Sequence, residues 1–290
     1  MNERKEVALV LSSGGARGYA HIGAIEELEA RGYHIHSVVG CSMGALVGGL
    51  YATGHMPELK EWLLQMNRRK LFKLTDISMS LSHLVKGERL IQALNEIVPD
   101  CRIEGLPIPF RAIATDLRSH REVVFDRGSL YAAIRASISI PTYYSPLRTR
   151  TMVLVDGGIA NPLPLNRAVR EDGDLLVAVN ASAPYDDAEE KKRRRARSIA
   201  AKGRSSMSEA IHRVLPSSDE ETVNYFSVLN DTIHTQIQNL AKLSLRLTPP
   251  DVCINIPMNR YYGVGYDRAA RIIAEGRELM RRALDEYEGL

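Results

Sequence analysis

Residues 40–44 read Gly40-Cys41-Ser42-Met43-Gly44, with residues 35–39 leading into them and Ala45-Leu46-Val47-Gly48-Gly49 following. A partly apolar run that ends in glycine and passes at once into small residues predicts a strand, a sharp turn and a helix. The G-x-S-x-G spacing puts a serine at that turn, where small neighbours let two backbones pass close to one another. The Ser42 hydroxyl is then expected at the sheet edge, with the N-terminal dipole of the next helix directed toward it. Glycine-rich turns of this type are common in α/β proteins, so the pentapeptide alone leaves a purely structural turn open.

Upstream, residues 7–11 read as a short buried strand and run directly into Ser12-Ser13-Gly14-Gly15-Ala16-Arg17-Gly18. Ala20, Ala24, Ile25 and Leu28 then recur at helix spacing. Glycines in such a loop let successive N–H groups face one point at a helix start, which makes an anion site. An acyl-transfer serine requires one, because attack on an ester carbonyl produces a tetrahedral oxyanion. Each preorganised donor there is worth roughly 3 to 4 kcal/mol. Gly14 and Gly15 are the candidate donors, and Arg17 either adds positive charge or bonds the loop's carbonyls. The alternative is the phosphate loop of a nucleotide fold. Ser13 stands where the first glycine of G-x-G-x-x-G belongs, no acidic residue closes a second strand at the right distance, and no G-K-[ST] follows.

Asp156-Gly157-Gly158 follows a strand-like run at 152–155. A carboxylate at a strand end, backed by two glycines, can approach a neighbouring loop closely and serve a serine as general base. Aspartate is a weak base, with a pKa near 3.9. It must act as the transition state forms, and apolar surroundings would raise its basicity. D-G-G is also an ordinary turn.

Taken in this order, the motifs resemble those of the patatin-like phospholipases, and specifically the compact bacterial members. The family's G-G-x-[RK] oxyanion loop is matched by Gly14, Gly15, Ala16 and Arg17. Its G-x-S-x-G nucleophile element is matched by Ser42 between Gly40 and Gly44, and its D-G-[AG] base element by Asp156 with Gly157 and Gly158. The segments Ala114-Thr115-Asp116-Leu117 and Ala133-Ile134-Arg135-Ala136-Ser137-Ile138-Ser139-Ile140-Pro141 also look like the family, as does the helix after the serine. The match covers residues 6 to about 183 and resumes from Pro249 to Gly276; Ser13 in place of the loop's first glycine is the visible departure. The resemblance implies a Ser-Asp dyad acting on lipid esters such as phospholipids or lysophospholipids, without cofactor or metal.

Two other readings compete. One is an α/β-hydrolase esterase with a Ser-Asp-His triad, for which His212 and His234 have the right chain order. The serine turn follows only the second predicted strand, however, and both histidines fall in predicted helices, where surface or interhelical packing is the expectation. His21 either lines the site or lies on a helix surface, and the surface is expected. The other reading is a non-catalytic regulatory or scaffold protein on the same fold; the complete serine, aspartate and glycine motifs count against it.

The chain has 290 residues, 44% of them hydrophobic, enough for a substantial core. Predicted strands at 7–11, 37–40, 111–115, 122–125, 152–155, 175–180 and 252–256 alternate with helices such as 57–67 and 88–98. This predicts one α/β domain with a mostly parallel central sheet covered by helices on both faces, a three-layer arrangement with its site at the strands' carboxyl ends. Its core spans 6–183, a basic and helical insertion 186–250, and a closing strand and helix 251–290. Within the insertion, Phe226, Leu229, Ile233, Ile237 and Leu240 fall at helix spacing, as expected of an ordinary packed helix; residues 267–284 read as the closing helix.

The net charge is only +3, but Lys191-Lys192-Arg193-Arg194-Arg195-Ala196-Arg197 is a dense basic run, with acidic residues just before it. It reads as a solvated segment or as a peripheral contact with anionic lipid, each cation near such a surface contributing about 1 kcal/mol. No nucleic-acid module accompanies it. Without a secretory or bilayer-spanning apolar stretch, and with three cysteines lacking metal-ligand spacing, a cytoplasmic setting is expected, with contact at the membrane's inner face. Cys41 reads as a small buried residue. Composition leaves the oligomeric state open.

Overall fold

The computed structural model describes residues 5–66, 70, 83–85, 87–186, 188, 225–261 and 268–290. The basic run from Lys191 to Arg197 and His212 lie outside them. Strand β1 (Lys5–Leu11) sits inside the main sheet, with β2 (Tyr33–Cys41) parallel on one side and β9 (Leu175–Ala183) parallel on the other. Strand β10 (Val252–Pro257) extends the sheet beyond β9, and β4 (Phe110–Asp116) extends it beyond β2, both in parallel. Three antiparallel strands complete it: β5 (Arg121–Phe125) and β8 (Val153–Asp156) on β4, and β7 (Leu147–Arg148) on β8. Strands β3 (His83–Val85) and β6 (Thr142–Tyr144) form a separate small ribbon.

Alternation along β1 shows why the sheet is covered twice. Val7, Leu9 and Leu11 point to one face and join a core with Ile25 of helix α1 (Ala20–Ala30), Val47 of α2 (Met43–Ala52) and Ile272 of α7 (Ala269–Glu288). Ala8 and Val10 point to the other face, against Leu163, Leu165 and Ala241 of α6 (Tyr225–Leu247). These five side chains, from Val7 to Leu11, are all buried, as a near-continuous apolar parallel strand demands. The remaining helices are α3 (Met56–Leu64), α4 (Glu88–Ile97) and α5 (Leu130–Ser137). The expected three-layer, mostly parallel architecture is therefore present, with an antiparallel edge that period-two patterning did not separate from the rest. Predicted strand and helix centres hold, while several ends move by a few residues because hydrogen-bond partners rather than local pattern terminate them.

One feature of this topology positions the site. Strands β2 and β8 share an edge of β4: Cys41 lies beside Ile113, and Asp156 lies beside Ala114. The first strand is parallel to β4 and the second antiparallel, so they run toward each other and stop at consecutive residues of the same neighbour. Residue 42 is thus delivered next to residue 156. The turn after β2 is tight enough to require glycine on both sides. A Cβ at Gly40 would sit 2.3 Å from the Gly44 carbonyl oxygen, and one at Gly44 would sit 2.2 Å from that of Leu11.

Candidate active site

Ser42 has φ 55° and ψ −119°, a left-handed region that costs a non-glycine residue about 1–3 kcal/mol. The surroundings hold it there. Its N–H donates to Ser137 Oγ at 2.8 Å, and Ser137 in turn donates to the Ile113 carbonyl at 2.6 Å. Its carbonyl accepts the N–H groups of Ala45 and Leu46, which starts α2. The serine is not displayed at an open sheet edge as expected. It is 4% exposed, at the carboxyl end of an interior strand, and opens only into a cavity.

Asp156 is its partner. Ser42 Oγ donates to Asp156 Oδ2 at 2.6 Å, and the Gly158 N–H donates to Oδ1 at 2.7 Å. The backbone of the aspartate is clamped as well, with its N–H on the Ser139 carbonyl and its own carbonyl accepting from Thr115 Oγ1. Asp156 is 5% exposed, and burial pushes its carboxyl up to about 6 although the bonds from Ser42 and Gly158 pull the other way. Asp116, at the end of neighbouring β4, goes in the opposite direction. The Val153 N–H, then the Ser119 hydroxyl, hold it down at about 2. That permanently charged carboxylate fastens the start of β8, while the carboxyl at the end of β8 is left basic.

The glycine loop lies across the cavity. Gly14 precedes a short 3-10 helix, Gly15–Tyr19, and Gly15 has φ 55°. Every polar group of the two preceding serines is engaged. The N–H groups of Ser12 and Ser13 donate to the carbonyls of Val179 and Pro162. Ser12 Oγ accepts from the Ala181 N–H and donates to the Ser13 carbonyl. Ser13 Oγ lies 3.0 Å from Ser182 Oγ, which donates to the Ser13 carbonyl. The serine that replaces the loop's first glycine therefore ties the loop to β9. Arg17 does the same from the far side, but through other carbonyls than its own loop's: its Nε donates to Ala181 O at 2.9 Å and its Nη1 to Met258 O at 3.0 Å.

Ser42, Asp156, Gly14, Gly15 and Arg17 all line one cavity of about 400 Å³. Ile140, Ile159, Ile233, Ile237 and Met258 supply much of the rest of its wall. Of the stripe on α6, Ile233 and Ile237 face the cavity, while Ala241, just past the stripe's end, enters the core. His234 also lines the cavity, half-buried on that helix, where surface or interhelical packing was expected. His21 departs from expectation more sharply. It is fully buried and lies neither on a helix surface nor in the cavity wall. Cys41 is buried as expected, and burial, then the charge of Asp156, pushes its thiol well up, which makes it a poor nucleophile.

Sequence reasoning missed the parts played by Ser137 and Ser139. Both sit in a stretch noted only for its familiar look, and nothing local says that they reach residues 42 and 156. Among the described residues, no group of three or more His, Cys, Asp and Glu side chains is placed to hold a metal ion, and no helix is long and apolar enough to cross a membrane.

A buried serine hydroxyl is thus bonded to a buried carboxylate, with a glycine loop across the same cavity of an α/β fold. Residues 9–169 match the family model described as patatin-like phospholipase, and the chain belongs to that family. An uncharacterised NTE family protein of Mycobacterium tuberculosis H37Rv is 36% identical over 97% of this chain and 92% of its own. Neuropathy target esterase sws of Drosophila persimilis is 33% identical over 54% of this chain and 11% of its own. Among solved structures, VipD from Legionella pneumophila aligns with a TM-score of 0.46 and 14% identity, covering 98% of this chain and 67% of that one. At family level the activity is hydrolysis of lipid acyl esters.

Proposed function

We propose that this protein is a serine acyl hydrolase that cleaves lipid carboxylic esters, such as the acyl chains of phospholipids or lysophospholipids, through a Ser42–Asp156 dyad. The observation that carries this is the 2.6 Å bond from Ser42 Oγ to Asp156 Oδ2, a carboxyl that burial keeps unusually basic. Ser42 Oγ attacks the ester carbonyl carbon while its proton passes to Asp156 Oδ2. The carbonyl oxygen gains the negative charge and takes hydrogen bonds from the N–H groups of the Gly14–Gly15 turn, which Arg17 keeps in place. As the tetrahedral species collapses, the C–O bond to the alcohol breaks and Asp156 returns the proton to the departing oxygen. Asp156 then takes a proton from a water molecule as the water oxygen attacks the acyl carbon. It passes that proton to Ser42 Oγ as the bond from the acyl carbon to Oγ breaks, which releases the fatty acid and restores Ser42.

The apolar wall formed by Ile140, Ile159, Ile233, Ile237 and Met258 suits an acyl chain. The Ser42 hydroxyl is already committed to a carboxylate, which favours the dyad over a triad routed through His234. Helix α6 lines this cavity and also packs on β9, which supports one domain with 186–250 as an insertion.

A fluorophosphonate probe tests the reading most directly. It labels the intact protein at Ser42, and Ser42→Ala abolishes both labelling and hydrolysis of a p-nitrophenyl acyl ester while the fold survives. Unlabelled, inactive wild-type protein would instead favour the scaffold reading. Contact of residues 191–197 with anionic lipid belongs to the same proposal. Charge-dependent flotation with anionic vesicles is expected, and unchanged flotation after neutralising the run removes that part.

A further inference from the structure

His21 is the one buried polar side chain among the described residues with a nitrogen that finds no partner: its Nδ1 is unpaired, and the residue is fully buried. The other ring nitrogen, Nε2, lies 3.0 Å from the Ser12 carbonyl oxygen. A carbonyl can only accept, so this contact requires the proton on Nε2. That leaves Nδ1 as a bare lone pair, buried and without a donor. Burial also holds the ring neutral, pulling its pKa down to about 4. A buried nitrogen without a partner is destabilising, and leucine in the same space would remove it. The imidazole therefore has a use other than filling the core.

Its position shows the use. His21 lies in the first turn of α1, the helix packed most extensively on α7. The crossing is very close: a Cβ at Gly276 would meet the Ala20 carbonyl oxygen at 2.1 Å, and one at Gly23 would meet that of Ile273 at 1.9 Å. From this rigid base the ring reaches Ser12, the last residue before the Ser13-Gly14-Gly15 turn. The other Ser12 and Ser13 bonds described above, apart from the one between the two serines, anchor the loop to β9 and to the Pro162 carbonyl. The His21 bond alone comes from the helix that follows the loop, so it fixes the loop's entry relative to its exit. A Cβ at Gly18 would lie 3.3 Å from His21 Cδ2 and 2.3 Å from Met43 Cγ, so the ring and the residue next to the nucleophile both crowd Gly18 of the loop.

We propose that His21 is a positioning residue for the glycine loop: as its Nε2–H tautomer it holds the Ser12 carbonyl and so sets the direction in which Gly14 and Gly15 present N–H groups to the reacting ester. The proposal rests on the acyl-hydrolase reading. It assigns His21 no contact with substrate and no proton transfer.

The test compares His21→Leu, which keeps the bulk and loses the donor, with His21→Gln, whose amide N–H reaches about as far. Turnover of a p-nitrophenyl acyl ester is normalised to sites titrated to completion with a fluorophosphonate. His21→Leu is expected to lower kcat about 10- to 100-fold with little change in KM, the effect of a misplacement of about 1 Å in catalytic groups. His21→Gln is expected to recover most of the loss. Wild-type kcat per titrated site in His21→Leu would make the residue mere packing and overturn the proposal. If His21→Leu fails to fold, 15N chemical shifts of the wild-type ring decide: the neutral Nε2–H tautomer supports the proposal, and Nδ1–H or imidazolium refutes it. Wild-type protein inactive on every ester but carrying the Nε2–H tautomer would count against the acyl-hydrolase reading, not against the ring's placement.

Discussion

Replacing Asp156 by asparagine should stabilise the protein while destroying its activity, and the gain should depend on pH. The carboxyl is 5% exposed, and its pKa rises from 3.8 to about 6 on folding. The folded protein therefore holds this proton more tightly than the unfolded chain does. Below about pH 4 the group is protonated in both states and contributes no difference. As pH rises toward about 6 the fold must either keep a proton the unfolded chain has released or carry a buried charge, so stability falls and then levels off. A rise from 3.8 to about 6 corresponds to about 3 kcal/mol of destabilisation at neutral pH. Asparagine imitates the neutral acid: Oδ1 still accepts from the Gly158 N–H, and Nδ2 donates to Ser42 Oγ. Urea unfolding of both proteins at about pH 4 and about pH 8 should show the variant gaining about 2.5 kcal/mol on wild type across that interval. Turnover of an acyl ester should be lost at every pH. A stability difference that does not move with pH, or a variant less stable than wild type at the alkaline end, refutes the claim that Asp156 is a buried, strained base.

The same raised pKa predicts that kcat/KM for an uncharged ester climbs as pH passes through about 6 and then reaches a plateau; a profile flat across that region contradicts Asp156 as general base. His234→Ala should keep p-nitrophenyl ester hydrolysis within about 10-fold of wild type, the general-base contribution being about 100-fold or more. A loss matching that of Ser42→Ala would install the histidine as a triad member. Ser137→Ala removes the acceptor of the Ser42 N–H and should destabilise by about 1–3 kcal/mol in denaturant melts, with a fall in kcat; unchanged turnover would show that Ser42 keeps its left-handed geometry without this support.

The local motifs were legible because each is a short-range steric demand. Gly40 and Gly44 flank Ser42 since any larger residue would collide with backbone: at Gly40 with Gly44 in the same turn, and at Gly44 with Leu11 where the turn passes the neighbouring strand. Gly14 and Gly15 were readable for a related reason, as a strand passing into a helix through a turn that only glycine makes easily. The roles of Ser137 and His21 were not readable. Both depend on which carbonyl or N–H group lies opposite, and that partner comes from another element. His234 and the Ile233–Ile237 pair looked like ordinary helix packing because periodicity reports that a helix has an inner face without saying what lies there.

By itself, the sequence determined the alternation of strands and helices, the two-sided burial of β1, and the presence of a hydroxyl, a carboxyl and a glycine loop at strand ends. These follow from side-chain period and backbone sterics, which act over a few residues. Only the tertiary structure decided that β2 and β8 meet head-on along β4, which joins two groups 114 positions apart in the chain. It also decided the chemistry of the pair. An aspartate is an ordinary weak base until its neighbours exclude water, and that exclusion is a property of the packed whole.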